Sequence, residues 1–166
     1  MRELLIELSP AQRTSESQEI RNQLIFPPGA RVALFAGAAT EVHLLDLLAS
    51  SPQVDFFLPR VLSKTEMEFL PVQDRTHLKK GPFGILEPRS GTPATELDFI
   101  VCPGLAFTQT RLRLGQGGGY YDRALKKFPE AQRIGVCFTC QLLDDLPSED
   151  HDLNMHEVLT PPPARV

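Results

Sequence analysis

Apolar residues fall in short runs along the chain, parted by polar stretches that glycine and proline punctuate. Arg31–Ala36, Val54–Leu58, Met67–Val72, Phe99–Cys102, Arg133–Phe138 and the segment near His156–Thr160 have the length and β-type composition of buried strands. Ser9-Pro10 signals a helix start, with Ile20, Leu24 and Ile25 as its apolar face and Pro27-Pro28-Gly29 as its end. Thr40 is the expected cap of a second helix that buries Val42, Leu44, Leu45, Leu47 and Leu48, which makes a βαβ unit with the flanking strands. Residues 73–97 form a long excursion marked by Gly and Pro, and further helical segments are expected near Tyr120–Phe128 and Gln141–Leu146. This alternation predicts a single three-layer α/β/α domain over residues 1–166, with a largely parallel sheet and ligands gathering at the strands' carboxyl ends.

A chain of 166 residues can bury one adequate core without staples. Its net charge of −4 and pI near 5.6 argue against general binding to nucleic acid or membrane surfaces. No apolar run approaches the roughly 20 residues that a membrane span needs. Leu4-Leu5-Ile6 is too short for a signal peptide, so a cytoplasmic location is expected. Three cysteines, an odd number, favour reduced thiols.

One segment departs from the average. Arg113-Leu114-Gly115-Gln116-Gly117-Gly118-Gly119-Tyr120-Tyr121-Asp122-Arg123 contains both tyrosines of the chain and, with Arg111, Lys126 and Lys127, sets a basic patch in an acidic protein. Glycines let backbone N–H groups approach a ligand, and a helix starting at the tyrosines would aim its positive end at the same place. There is no Gly-Lys-Ser/Thr, and the glycines follow the preceding strand too late for a dinucleotide fingerprint. Composition alone therefore leaves open a phosphate site and a solvated surface turn.

Asp98–Phe107 together with Arg113–Arg123 resembles the signature of the 5-formyltetrahydrofolate cyclo-ligase family, also called 5,10-methenyltetrahydrofolate synthetases. Glu41-Val42, Leu58–Val61, Met67–Phe69, Gly81–Pro88 and His151-Asp152 before Val158–Pro161 continue the resemblance in order and spacing, over roughly residues 2–161. The resemblance implies a NagB/RpiA/CoA-transferase-like fold and a monomeric enzyme acting on small molecules. It implies that 5-formyltetrahydrofolate is closed to 5,10-methenyltetrahydrofolate while ATP gives ADP and phosphate. It implies catalytic roles for Arg113, Tyr121 and Asp122, and ATP contacts from Arg2, Arg113, Leu114, Gly115, Gln116, Gly117, Gly118, Gly119, Tyr120 and Tyr121. Folate would meet Glu41, Arg60, Met67, Phe83, Gly117, Gly118, Gly119 and Tyr120, and Mg2+ would meet Asp122 and Asp152, with Asp150 as the alternative to Asp152. The family's Lys-x-x-Leu-Arg opening has no lysine counterpart before Leu4 here, so its role would fall to Arg2, a poor substitute at the chain's start, or to Arg111, Arg113 and Arg123, and ATP affinity is expected to be weaker. A member of the family that binds without catalysing is the second reading.

Other readings compete at individual residues. Cys137, Cys140, His151 and His156 approach zinc-finger spacing, yet Gln141–Asp150 lacks the apolar residues that pack a finger helix; buried, metal-free thiols are expected there and at Cys102. Glu41 is placed to cap a helix as well as to bind folate. Met67 and Phe83 suit the core as well as a pocket wall, Arg60 suits a surface charge as well as an anion ligand, and one of Tyr120 and Tyr121 is expected only to pack.

Overall fold

The computed structural model describes residues 1–147 and 153–163. Two helices open the chain, α1 (Arg2–Glu7) and α2 (Pro10–Gln23). Ser9 caps α2 reciprocally with Gln12, and Pro10 occupies its first turn. Then follow β1 (Arg31–Ala33), α3 (Leu47–Ser50), β2 (Asp55–Val61) and β3 (Met67–Val72). The hairpin β4 (Leu78–Lys80) and β5 (Leu86–Pro88) comes next, then β6 (Phe99–Cys102), β7 (Ala106–Thr108) and β8 (Arg113–Leu114). Helix α4 (Tyr120–Lys127), β9 (Gln132–Val136), β10 (Leu142–Leu143) and β11 (Glu157–Leu159) complete it.

The central sheet has the order β11-β9-β6-β1-β2-β3, parallel except for β3, which runs against β2. Alternate residues of each strand face opposite sides: Val32 and Val101 join the cluster with Ile20, Leu24, Leu47 and Leu48, whereas Ala33, Ile100 and Cys102 join Phe107, Ala124 and Leu125. Helices α2 and α3 thus cover one face, and α4 with the small sheet β10-β7-β8 covers the other. This is the expected three-layer α/β arrangement with a largely parallel sheet.

Three local expectations fail. Residues 40–48 are buried where expected at Val42, Leu44, Leu45, Leu47 and Leu48, but only Leu47–Ser50 is helical and Thr40 caps nothing. The His43 N–H donates to the Ser17 hydroxyl at 3.0 Å instead of to a carbonyl one helical turn back, and the Glu41 side chain turns back on Ala38. Ile25 is 85% exposed, because α2 stops at Gln23 and Phe26 takes the buried position beyond it. In place of a helix at 141–146, a 3₁₀ turn at Thr139–Gln141 leads into β10, which pairs with β7. The buried Gln141 side chain bonds the carbonyls of Gly104 and Leu105, fixing the chain beyond β6. The excursion at 73–97 carries the β4–β5 hairpin, structure that its punctuation concealed.

Candidate active site

A cleft of about 500 Å³ opens where β1, β2 and β6 end. Phe35 to Ala38, Pro59, Val61 and Pro103 come from those carboxyl ends, while Met67 opens the antiparallel β3. The β4–β5 hairpin adds Pro82, Ile85, Leu86 and Glu87, and the glycine loop with the first turn of α4 closes the remaining side.

The loop is shaped by its glycines. Gly117 and Gly119 have φ of +94° and +63°, and Gly119 is the residue that turns the chain into α4. None of the amides from Gly117 to Asp122 finds an acceptor among the described residues, so all six are available to an anion beside the helix's positive end. A side chain at Gly119 would be strained and would set its Cβ 2.6 Å from Arg123 Nη1. Gly119→Ala is therefore expected to cost about 1–2 kcal/mol and to lower Tm by roughly 2–8 °C, which thermal denaturation followed by circular dichroism measures.

Arg113 is not an exposed finger. Its side chain is only 4% exposed; its guanidinium is bonded to Asp122 and donates to the Pro103 carbonyl at 3.3 Å, with the Tyr121 ring centroid 5.9 Å away. Asp122, 46% exposed, lines the cleft from the first turn of α4. The Tyr121 hydroxyl is buried with no hydrogen-bond partner among the described residues, and burial pushes its ionisation well above the ordinary phenol range. Such a group is costly unless a ligand satisfies it.

Tyr120 and Arg123 face the β2–β3 hairpin. The Tyr120 hydroxyl donates to the Ser63 carbonyl at 2.9 Å, Arg123 Nε donates to the Thr65 carbonyl at 2.5 Å, and Arg123 lies over the Tyr120 ring. Tyr120 thus both packs and lines the cleft.

Glu41 stands opposite the loop. Its Oε2 accepts from the Ala38 N–H at 2.6 Å, across a turn made by Gly37 at φ +72°, and its Oε1 accepts from Gln116 Nε2 at 2.7 Å. Burial raises its pKa above the ordinary glutamate value, while these two donors oppose the rise.

The remaining expected site residues divide. Met67 lines the cleft, as do Gly115, Gly118 and Gly119. Phe83 lies in the 3₁₀ turn Pro82–Gly84 at the rim, its side chain outside what is described. Leu114 points away, 37% exposed, and Arg2 is exposed on α1; neither lines the cleft. Arg60 is absent from the lining as well, because the β2–β3 register sets it opposite Glu68, with which it forms an ion pair at 2.5 Å. Asp150, His151 and Asp152 lie outside the described residues. Cys102 and Cys137 are buried thiols pushed up to about 12 by desolvation, and His156 is bonded to Arg133 through a ring nitrogen 2.9 Å from that residue's N–H. No local signal marks Glu87, a buried carboxylate in the cleft wall that pairs with Lys79 at 3.5 Å; the Gly81–Pro88 segment points only to its neighbourhood.

A glycine loop with free amides, facing a half-buried carboxylate at the carboxyl ends of a parallel sheet, makes a cleft with donors suited to an anion on an α/β scaffold. The sequence profile of the 5-formyltetrahydrofolate cyclo-ligase family matches residues 1–161, and the chain belongs to that family. It is 35% identical to the 5-formyltetrahydrofolate cyclo-ligase of Haemophilus influenzae, over 87% of this chain and 83% of that one. The Escherichia coli enzyme of the same name is 29% identical over 93% and 92% of the two chains. The solved structure of Aquifex aeolicus 5,10-methenyltetrahydrofolate synthetase superimposes with a TM-score of 0.82 at 31% identity, covering 94% of this chain and 83% of that one.

Proposed function

We propose that this chain closes 5-formyltetrahydrofolate to 5,10-methenyltetrahydrofolate while converting ATP to ADP and phosphate, as a single-domain monomer in the cytoplasm. The observation that carries this reading is the juxtaposition, at one cleft, of the unbonded amides of Gly117–Asp122 and the half-buried carboxylate of Glu41. The formyl oxygen of the substrate is amide-like and will not leave. Phosphorylating it makes the carbon electrophilic, the neighbouring folate nitrogen attacks, and phosphate departs. Such a transfer asks the protein for positioning and for stabilisation of spread negative charge. The loop amides supply donors to the phosphates, and Arg113 and Asp122 hold each other at the loop's edge. Tyr121 has a hydroxyl left to donate, and it stays protonated near neutrality.

Magnesium fits this donor set, since the ion takes one or two carboxylates and completes its shell from phosphate and water. Asp122 faces the cleft and would hold it, with Asp152 as the second acid; bound there, the ion would neutralise phosphate charge.

Mixing protein, 5-formyltetrahydrofolate and MgATP should produce the near-ultraviolet absorbance of the methenyl product; absence of that signal with folded protein rejects the reading. Glu41 supplies a pH signature. Because burial raises its pKa, the carboxylate protonates at higher pH than a free glutamate, and affinity for the folate's ring N–H groups is expected to fall on acidification from that higher pH. Glu41→Gln should raise the folate KM about ten- to hundredfold near neutrality, as loss of a hydrogen bond to a charged group does, and should remove this acid limb. A pH profile unchanged by the substitution excludes Glu41 from folate binding.

A further inference from the structure

A side-chain bridge crosses the cleft. Gln116 sits at the tip of the glycine loop, and its amide reaches Glu41 on the opposite wall, 75 residues away in the chain, at 2.7 Å. The backbone beside it is permissive: Gly117 is at φ +94°, nothing lies within 4 Å of where a side chain would project there, and the amides that follow are unbonded. Arg123 holds the Gly118 carbonyl at 2.6 Å from the helix side, and the Gln116 amide ties the loop to the Glu41 wall of the sheet.

The other end of the bridge has its own logic. Glu41 Oε2 is held by the Ala38 N–H on its own wall, which leaves Oε1 facing the cleft. A half-buried carboxylate is stabilised by every donor it keeps. Here the cleft-side donor is a neutral amide, so another neutral N–H donor can replace it without stripping away a counter-charge. The ring of a reduced folate, with its amino and ring N–H groups, is such a donor set.

We propose that Gln116 is a positioning residue that tethers the glycine loop to Glu41 until the folate ring takes over the carboxylate, which frees the loop to close on the nucleotide's phosphates. This rests on the cyclo-ligase reading of the cleft. The loop then has two states, tethered and free, and both ligands bind the free one. By linkage, each ligand tightens the other by the same factor, set by how strongly the tether is favoured. Removing the tether should tighten each ligand alone and abolish the mutual effect, which is opposite in sign to the loss of a direct ligand contact or of a structural prop.

The test is isothermal calorimetry with 5-formyltetrahydrofolate and a non-hydrolysable ATP analogue with magnesium, separately and together, on wild type and Gln116→Leu. In wild type each ligand is expected to tighten the other about tenfold, within the usual span of coupling energies. Gln116→Leu should bind either ligand alone severalfold more tightly and show less than about twofold mutual tightening. Gln116→Ala, which also removes the amide and adds no charge beside the phosphates, should behave like Gln116→Leu. Weaker binding of either ligand to Gln116→Leu, or mutual tightening that survives the substitution, overturns the tether. Wild type that binds both ligands without mutual effect overturns the tether alone; wild type that binds neither overturns the cyclo-ligase reading with it.

Discussion

Asp122→Asn should leave a folded protein that turns over about 10²–10³ times more slowly, the loss typical of removing one electrostatic stabiliser. The side chain keeps its size and one oxygen to accept from Arg113, but its charge is gone from the first turn of α4, where the cleft, the loop amides and the Arg113 guanidinium meet. Because Asp122 is half exposed, the cost to folding is expected near 1 kcal/mol, or about 2–4 °C in Tm. Steady-state assays at saturating MgATP alongside thermal melts separate the two effects. More than about half of wild-type turnover would remove Asp122 from the reaction.

Arg113→Ala is expected to be as damaging to turnover and considerably more damaging to the fold. Composition suggests a solvated cation that could be removed without disturbing the core, but the structure buries it. Truncation empties the space beside Gly115 and the Tyr121 ring, frees the Pro103 carbonyl and leaves Asp122 without its partner. Losses of this kind run to about 2–4 kcal/mol, or a Tm lower by roughly 4–16 °C. Arg113→Lys distinguishes charge from geometry, since a lysine cannot hold Asp122 and Pro103 in one planar fork. It should recover part of the stability and little of the turnover. An Arg113→Ala protein that melts like wild type would show that these contacts do not hold the loop.

The six strands of the central sheet were legible because each is an apolar run with no competing local signal, and the glycine loop because its composition is so far from the chain's average; the short strands β4, β5, β7, β8 and β10 were not. Local signals failed wherever a distant group decided the outcome. Nothing near His43 announces that its N–H belongs to Ser17, and nothing near Gln141 announces the carbonyls of Gly104 and Leu105. Arg60 reads as free until the β2–β3 register, one residue either way, sets it beside Glu68. In the site, the residue types could be read but not their exposure. Arg113 and Tyr121 look alike in sequence to any basic and aromatic pair, and only packing makes one a buried strut and the other an unsatisfied hydroxyl.

The grip of Tyr120 and Arg123 on the β2–β3 hairpin has an evolutionary corollary. Both side chains take hold of main-chain carbonyls, those of Ser63 and Thr65, which every amino acid carries. Related sequences are thus free to drift in residue identity at Lys64 and Thr65. An insertion or deletion there would move the carbonyls out of reach, so the length of this turn should be far better preserved than its spelling.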